Sequence, residues 1–213
     1  MTYFFTLEFS HELLVDDDEP SRYVKEIEGV VWVYRGSRKH RAGRFSIFII
    51  NVERALANDE SVFDIFDYAS TTMGYLLLYG DDGEYAPEVT AILPGGERWS
   101  PNLLILDRLE VLPKYRGYGI GLRVLRCLQE QFSMGCGLVA MKPFPLQFEG
   151  GDPAEKEGDP KFVTMGLGDF DRNQGRATAR LCRYYAQLGF IGVPGTDFMI
   201  SDPLMDLPPL VGS

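Results

Sequence analysis

The stretch that most constrains this chain is LDRLEVLPKYRGYGIGLRVLRCLQEQF, residues 106–132, where an apolar run passes through Pro113 into three alternating glycines and then into a helical pattern. Gly117, Gly119 and Gly121 stand where a strand gives way to a helix. Glycine there lets backbone N–H groups approach a ligand closely, and the positive end of the helix dipole favours anions. The stretch therefore predicts a pyrophosphate cradle. Spacing decides which kind. A dinucleotide fingerprint needs G-x-G-x-x-G, but the last position falls on Leu122 counted from Gly117 and on Val124 counted from Gly119. A nucleotide-triphosphate loop needs Lys followed by Ser or Thr after the glycines, and no such pair follows them. What remains is R-x-x-G-x-G at Arg116, Gly119 and Gly121, preceded by V-x-P-x-x from Val111 to Tyr115.

The flanks fit a strand, a cradle and a helix in that order. Residues 103–111 begin apolar on both faces, as a central strand covered on both sides would. After the glycines, Ile120, Val124, Leu128 and Phe132 recur every fourth residue with Leu125 beside them, while Arg123, Arg126, Gln129 and Glu130 fall elsewhere. Downstream, ATARLCRYYAQLGF (177–190) places Ala177, Leu181, Tyr184, Tyr185 and Leu188 on one helical stripe that stops at Gly189, with a strand expected from Phe190. Periodicity alone reads Tyr184 and Tyr185 as core aromatics.

Together these two segments resemble the GNAT superfamily of N-acetyltransferases. The first resembles its acyl-CoA signature, and the second its C-terminal motif of an aromatic pair, three residues and Gly-Phe. The resemblance implies an α/β domain of the α+β type: a mixed, mostly antiparallel sheet with helices on both faces. Two parallel strands, here 103–112 and 137–142, would splay to hold acyl-CoA. It also implies acetyl-CoA as cosubstrate, bound by Leu109, Val111, Arg116, Gly117, Tyr118, Gly119, Ile120 and Gly121. Val111 would offer backbone hydrogen bonds to the pantetheine arm, with Arg116 available as a cation. Tyr185 takes the place of the family's frequent catalytic tyrosine, which would protonate the departing thiolate. The chain departs from the family in the roughly thirty residues of 143–172 between the second strand and the tyrosine helix. That insert is rich in Pro, Gly and acids, and loops this long are commonly lids, partner surfaces or linkers. Leaving from the rim of the cleft, it reads as a lid on the acceptor side.

Acetyl transfer to an amine needs a base, and strand residues Asp107 and Glu110 are the candidates. Simple alternation puts them on opposite faces, Asp107 with Ile105, Leu109 and Val111 in an apolar setting that would raise its pKa. Glu110 falls two positions from Arg108 on one face, and a structural ion pair is the plainer reading of both acids. The expected reaction is direct transfer from acetyl-CoA to a primary amine in a ternary complex. A non-catalytic acyl-CoA sensor of the same fold, or a transferase using a longer acyl donor, are the alternatives.

The 213 residues suit one domain. A net charge of −10 disfavours nucleic acid and favours a cationic acceptor. Two histidines, His11 and His40, leave almost nothing for a metal site, so none is expected. Cys127, Cys136 and Cys182 form no C-x-x-C pair and read as reduced thiols, the first and last as small buried hydrophobes in helices. Without an apolar run near the roughly 20 residues of a membrane span or a basic leader, a cytoplasmic monomer or homodimer is expected, with no membrane partner.

Elsewhere the pattern predicts strands at 3–9, 26–35, 44–52 and 86–93, and a solvated acidic loop at 16–20. A helix capped by Asn58 or Asp59 would carry Val62, Phe63, Ile65 and Phe66, with a further helical piece through Leu76–Leu78. Arg35, Arg38, Lys39, His40, Arg41 and Arg44, with Gly36 and Gly43, read as a basic hairpin tip, solvated or set against an anion such as a cofactor phosphate.

Overall fold

The computed structural model describes residues 4–11, 20–96 and 98–210; the expected acidic loop lies, but for Pro20, outside them, as does Tyr3 of the first strand. Among the described residues, seven strands form one sheet: β1 (Phe4–Ser10), β2 (Val24–Arg35), β3 (Arg38–Ile50), β4 (Leu103–Val111), β5 (Leu138–Met141), β6 (Ile191–Gly192) and β7 (Met199–Ser201). Their spatial order is β1-β2-β3-β4-β5-β7-β6, and only β4 and β5 run parallel. The sheet is thus mixed and mostly antiparallel.

Alternation along β3, β4 and β5 feeds two cores. On one face Phe48, Ile50, Leu103, Ile105, Leu138 and Ala140 meet a group of short helices. These are α1 (Val52–Leu56), α2 (Val62–Phe66), α3 (Ser70–Met73) with the 3₁₀ turn Gly74–Leu78, and α4 (Pro87–Thr90). On the other, Phe45, Ile47, Leu104, Leu106, Val139 and Met141 meet α5 (Ile120–Phe132) and the end of α7 (Gln174–Ala186). Helices therefore lie on both faces, as expected. A last short helix, α6 (Pro160–Thr164), belongs to the insert.

Several expectations are corrected. β3 stops at Ile50, and Val52 opens α1, because the Asn51 side chain accepts from the Arg54 N–H and caps the turn. Ser61, not Asn58 or Asp59, caps α2; Asp59 takes a positive φ of 59° in the link between the helices. The strand expected at 86–93 is α4 instead, with Pro87 preset for the first helical turn. The strand expected from Phe190 is only the two residues of β6, and the edge is completed by β7, which pairs with both β5 and β6. The basic residues 38–41 and Arg44 lie along β3 rather than in the turn, which is reduced to Gly36 and Ser37. Gln129 is not on a polar face of α5: it is 1% exposed, and its amide donates to Ser201 Oγ at 2.7 Å. The buried thiol is Cys136, in the loop after α5, pushed up by burial to about 12 and so inert; Cys127 and Cys182 are half-buried.

Candidate functional site

The site grows from β4. Its parallel ladder to β5 covers only Leu103–Ile105 against Leu138–Ala140, yet β4 continues to Val111. From Leu106 on, no described strand pairs with the edge of β4 facing β5, so the parallel pair parts in mid-sheet and leaves that edge as an opening. Leu112 N–H donates to Ala42 O on the β3 side, so the peptide groups of Val111 point to the opposite edge, toward the opening.

A bulge sets which side chains line it. Ser46 pairs with Arg108 and Ile47 with Leu106, leaving Asp107 as the extra residue of β4. Alternation therefore resets. Leu109 and Val111 pack with Leu106 on the α5 face, whereas Ile105 belongs to the other core. Asp107 does not share a face with Leu109 and Val111, and it lies on the same side as Glu110 rather than the opposite one. Asp107 accepts from Ser46 Oγ at 2.6 Å, and Glu110 from Arg44 at 2.6 and 2.8 Å, from neighbours that alternate onto one face of β3. Gly43 makes this approach possible, since a Cβ there would sit 2.0 Å from Glu110 O.

Glu110 is 5% exposed and enclosed by cations. Arg44, Arg108 at 3.0 Å and Lys161 at 3.4 Å surround it. Burial alone would raise its pKa, but the hydrogen bonds from Arg44 and Arg108 outweigh that and hold the carboxyl at about 2. Glu149, from the insert, joins through Arg108 and Lys161, at 3.1 and 3.2 Å, and is likewise held at about 2, first by Arg108. Asp107 lies outside this ring of cations, bonded to Ser46. On its other side stand Glu26 and Glu28 of β2; the Glu26 carboxyl is raised by burial first, then by Glu28 and Asp107.

Two phenols approach the opening from opposite faces. Tyr75 is 3% exposed in the short-helix core, and its hydroxyl receives the Lys142 N–H at the end of β5. Tyr185 packs against the α5 core from α7, its pKa raised first by burial. Both Asp107 and Tyr185 are near enough to raise the Tyr75 pKa further. Tyr75 had no sequence signal beyond a helical pattern; only the fold brings it beside Asp107.

The glycine turn lies between β4 and α5, as expected. Gly117 and Gly119 have φ of 81° and 69°, and α5 starts from Gly119 in the left-handed region. A Cβ on either glycine would meet nothing within 4 Å, so the loop is open to a ligand above it. Tyr118 is exposed and Ile120 buried. Arg116 is not a spare cation: its Nε donates to Val111 O at 2.8 Å and an Nη to Met165 O at 2.7 Å, over the Phe170 ring. Burial lowers its pKa, opposed by Asp169. The arginine thus ties the end of β4 to the insert.

The insert is folded rather than a slack linker. Phe162, Met165 and Leu167 form a small core of their own that packs on Leu112 and Leu146. Lys156 Nζ donates to the carbonyls of Gln147 and Glu149, and Gln147 to Asp171 O. Gly166, at φ 52°, lies against Pro113. Arg44 of the basic hairpin turns inward to Glu110, while Lys39 pairs with Glu8 and covers the Trp32 ring at 4.3 Å. Two cavities of about 460 and 410 Å³ lie along α5 beneath residues 203–210 and share none of these residues.

An opening between parallel strands, a glycine turn at one end and a half-buried carboxylate beside the Tyr75 phenol make a site able to hold an extended anionic ligand and move protons at its tip. Comparison with protein-family models, with curated proteins and with solved structures returns no match for this chain.

Proposed function

We propose that this protein is an acyl-CoA-dependent N-acyltransferase that moves an acetyl group from acetyl-CoA directly to a primary amine. The observation that carries the reading is the conjunction of the β4–β5 opening with the open cradle of Gly117 and Gly119 at its mouth. A thioester arm laid along the exposed edge of β4 would find the peptide groups of Leu109 and the N–H of Val111, whose carbonyl Arg116 holds, and the pyrophosphate would reach the N-terminus of α5. Arg116 supports this arrangement by fixing the strand end, with no salt bridge to phosphate required of it.

The chemistry divides among three side chains. Asp107, bonded to Ser46 and outside the cation ring, takes the proton from the acceptor ammonium before attack. Glu110 is unsuited to that task, because a carboxyl held at about 2 is a poor base near neutrality. Tyr185 stays protonated through the physiological range and can donate to the thiolate as the C–S bond breaks. Tyr75 orients the region between them. Glu26, Glu28 and Asp107 together favour an acceptor with a second positive charge.

Incubating the purified protein with acetyl-CoA and a panel of amines that includes diamines and polyamines, with release of free thiol as readout, tests the reading. Thiol release that depends on the amine supports it. Saturable acetyl-CoA binding with no release for any amine would replace it with an acyl-CoA sensor.

A further inference from the structure

The last glycine of the cradle has a partner that motif spacing does not suggest. Gly121, in the first turn of α5, has an ordinary helical backbone, yet a Cβ there would lie 2.4 Å from the hydroxyl of Tyr184. That hydroxyl receives the Leu122 backbone N–H, which also belongs to the first turn of α5. So α7 reaches the cradle helix through one phenol seated in the slot a missing side chain leaves. The ring of Tyr184 in turn stands edge-on to Tyr185, with centroids 5.6 Å apart and planes at 63°. A chain of contacts thus runs from the cradle to the proposed acid: the Leu122 N–H and Gly121, the Tyr184 hydroxyl and ring, then the Tyr185 ring.

Resting on the acyl-transfer reading, we infer that Tyr184 is a positioning residue, which sets the reach of Tyr185 from the donor-binding turn of α5. The cradle end and the reacting end of an acyl-CoA are bound by different elements, α5 and α7, so their spacing must be held by something that touches both. Tyr184 touches both. Its hydroxyl is fixed by a backbone donor, and its ring has no freedom to shorten, so the distance is set by covalent geometry rather than by a flexible side chain.

The contact supplies its own rescue test. Were the hydroxyl removed, the nearest atom to a Cβ at Gly121 would be Tyr184 Cζ at 3.5 Å, an ordinary van der Waals separation. Gly121→Ala alone must displace Tyr184 and, through it, Tyr185. Gly121→Ala with Tyr184→Phe has room for both. Wild type, the two single variants and the double variant are compared by turnover, by acetyl-CoA affinity and by thermal unfolding. The expected result is a fall in kcat of roughly tenfold to a hundredfold for Gly121→Ala, the size of loss an ångström-scale misplacement gives. Acetyl-CoA affinity should change far less; Tyr184→Phe, which keeps the ring in its slot but loses the Leu122 bond, should lower kcat by less than Gly121→Ala does, and the double variant should recover to the level of Tyr184→Phe. A double variant as slow as Gly121→Ala, or loss of kcat matched by equal loss of affinity, overturns the positioning role. Failure of wild type to bind acetyl-CoA overturns the acyl-transfer reading and this inference with it. The unfolding midpoints separate the cases, since a purely steric clash recovers in the midpoint of the double variant without recovery of kcat.

Discussion

At the scale of single residues, two neighbouring carboxylates on one strand have opposite fates. Asp107 is the extra residue of a bulge and meets a hydroxyl; Glu110 follows in regular register and meets Arg44 and Arg108. Asp107→Asn keeps a group able to bond Ser46 but cannot accept the acceptor's proton, so turnover should fall by about a hundredfold or more with little change in acetyl-CoA affinity. Tyr185→Phe should show a comparable loss, read in the same assay. Glu110→Gln should instead cost stability, about 2 kcal/mol, by leaving the surrounding guanidinium groups short of an anion. Denaturant unfolding of that variant checks it. Acid provides a further check. The carboxyls of Glu110 and Glu149 lie at about 2 in the fold against 4.5 ordinarily. The stability they contribute is therefore present above pH 4.5 and is lost as pH falls from there toward 2. A Glu149→Gln variant should show a flatter decline in denaturation midpoint over that window.

At the scale of elements, legibility tracked how local the determining physics is. The glycine turn and α5 are plain because a strand, positive-φ glycines and a 3.6-residue apolar stripe are all encoded within 30 residues or so of sequence. The bulge at Asp107 was not, because its position depends on register with β3, and alternation read from β4 alone put Leu109 and Val111 on the wrong face. For the same reason Gln129 looked like a surface residue until β7 supplied Ser201 beneath it. Arg116 read as a free cation because its partners, Val111 O and Met165 O, include a carbonyl 49 residues away. The insert was legible as a departure but not as a folded element; its core of Phe162, Met165 and Leu167 is too small to give a periodic signal.

At the scale of the whole molecule, one mixed sheet carries two apolar cores, and the opening sits where its one parallel pair parts. The approach to β4 is held by a buried ion pair: Arg98 donates to Asp202 at 2.5 Å, with both side chains under a tenth exposed, and also to the carbonyls of Pro94 and Gly96. Removing one partner strands the other charge. Arg98→Ala should cost roughly 3 kcal/mol, visible as a drop in Tm of about 6–12 °C at roughly 2–4 °C per kcal/mol. Turnover below that temperature should be affected much less, since the pair is remote from Asp107 and Tyr185 in the sheet.

Binding of an acyl-CoA pyrophosphate by the glycine turn before α5, as proposed, is testable by calorimetric titration of CoA into two variants at one position. Gly117 has a positive φ that Asn and Asp tolerate, and open space where a side chain would go. Gly117→Asn and Gly117→Asp are near-isosteric and differ by one negative charge. The expected result is saturable one-to-one binding to wild type, retained within a few-fold by Gly117→Asn and weakened at least tenfold by Gly117→Asp, about 1.4 kcal/mol, with both variants folded. No binding to wild type, or equal affinities for the two variants, would contradict it.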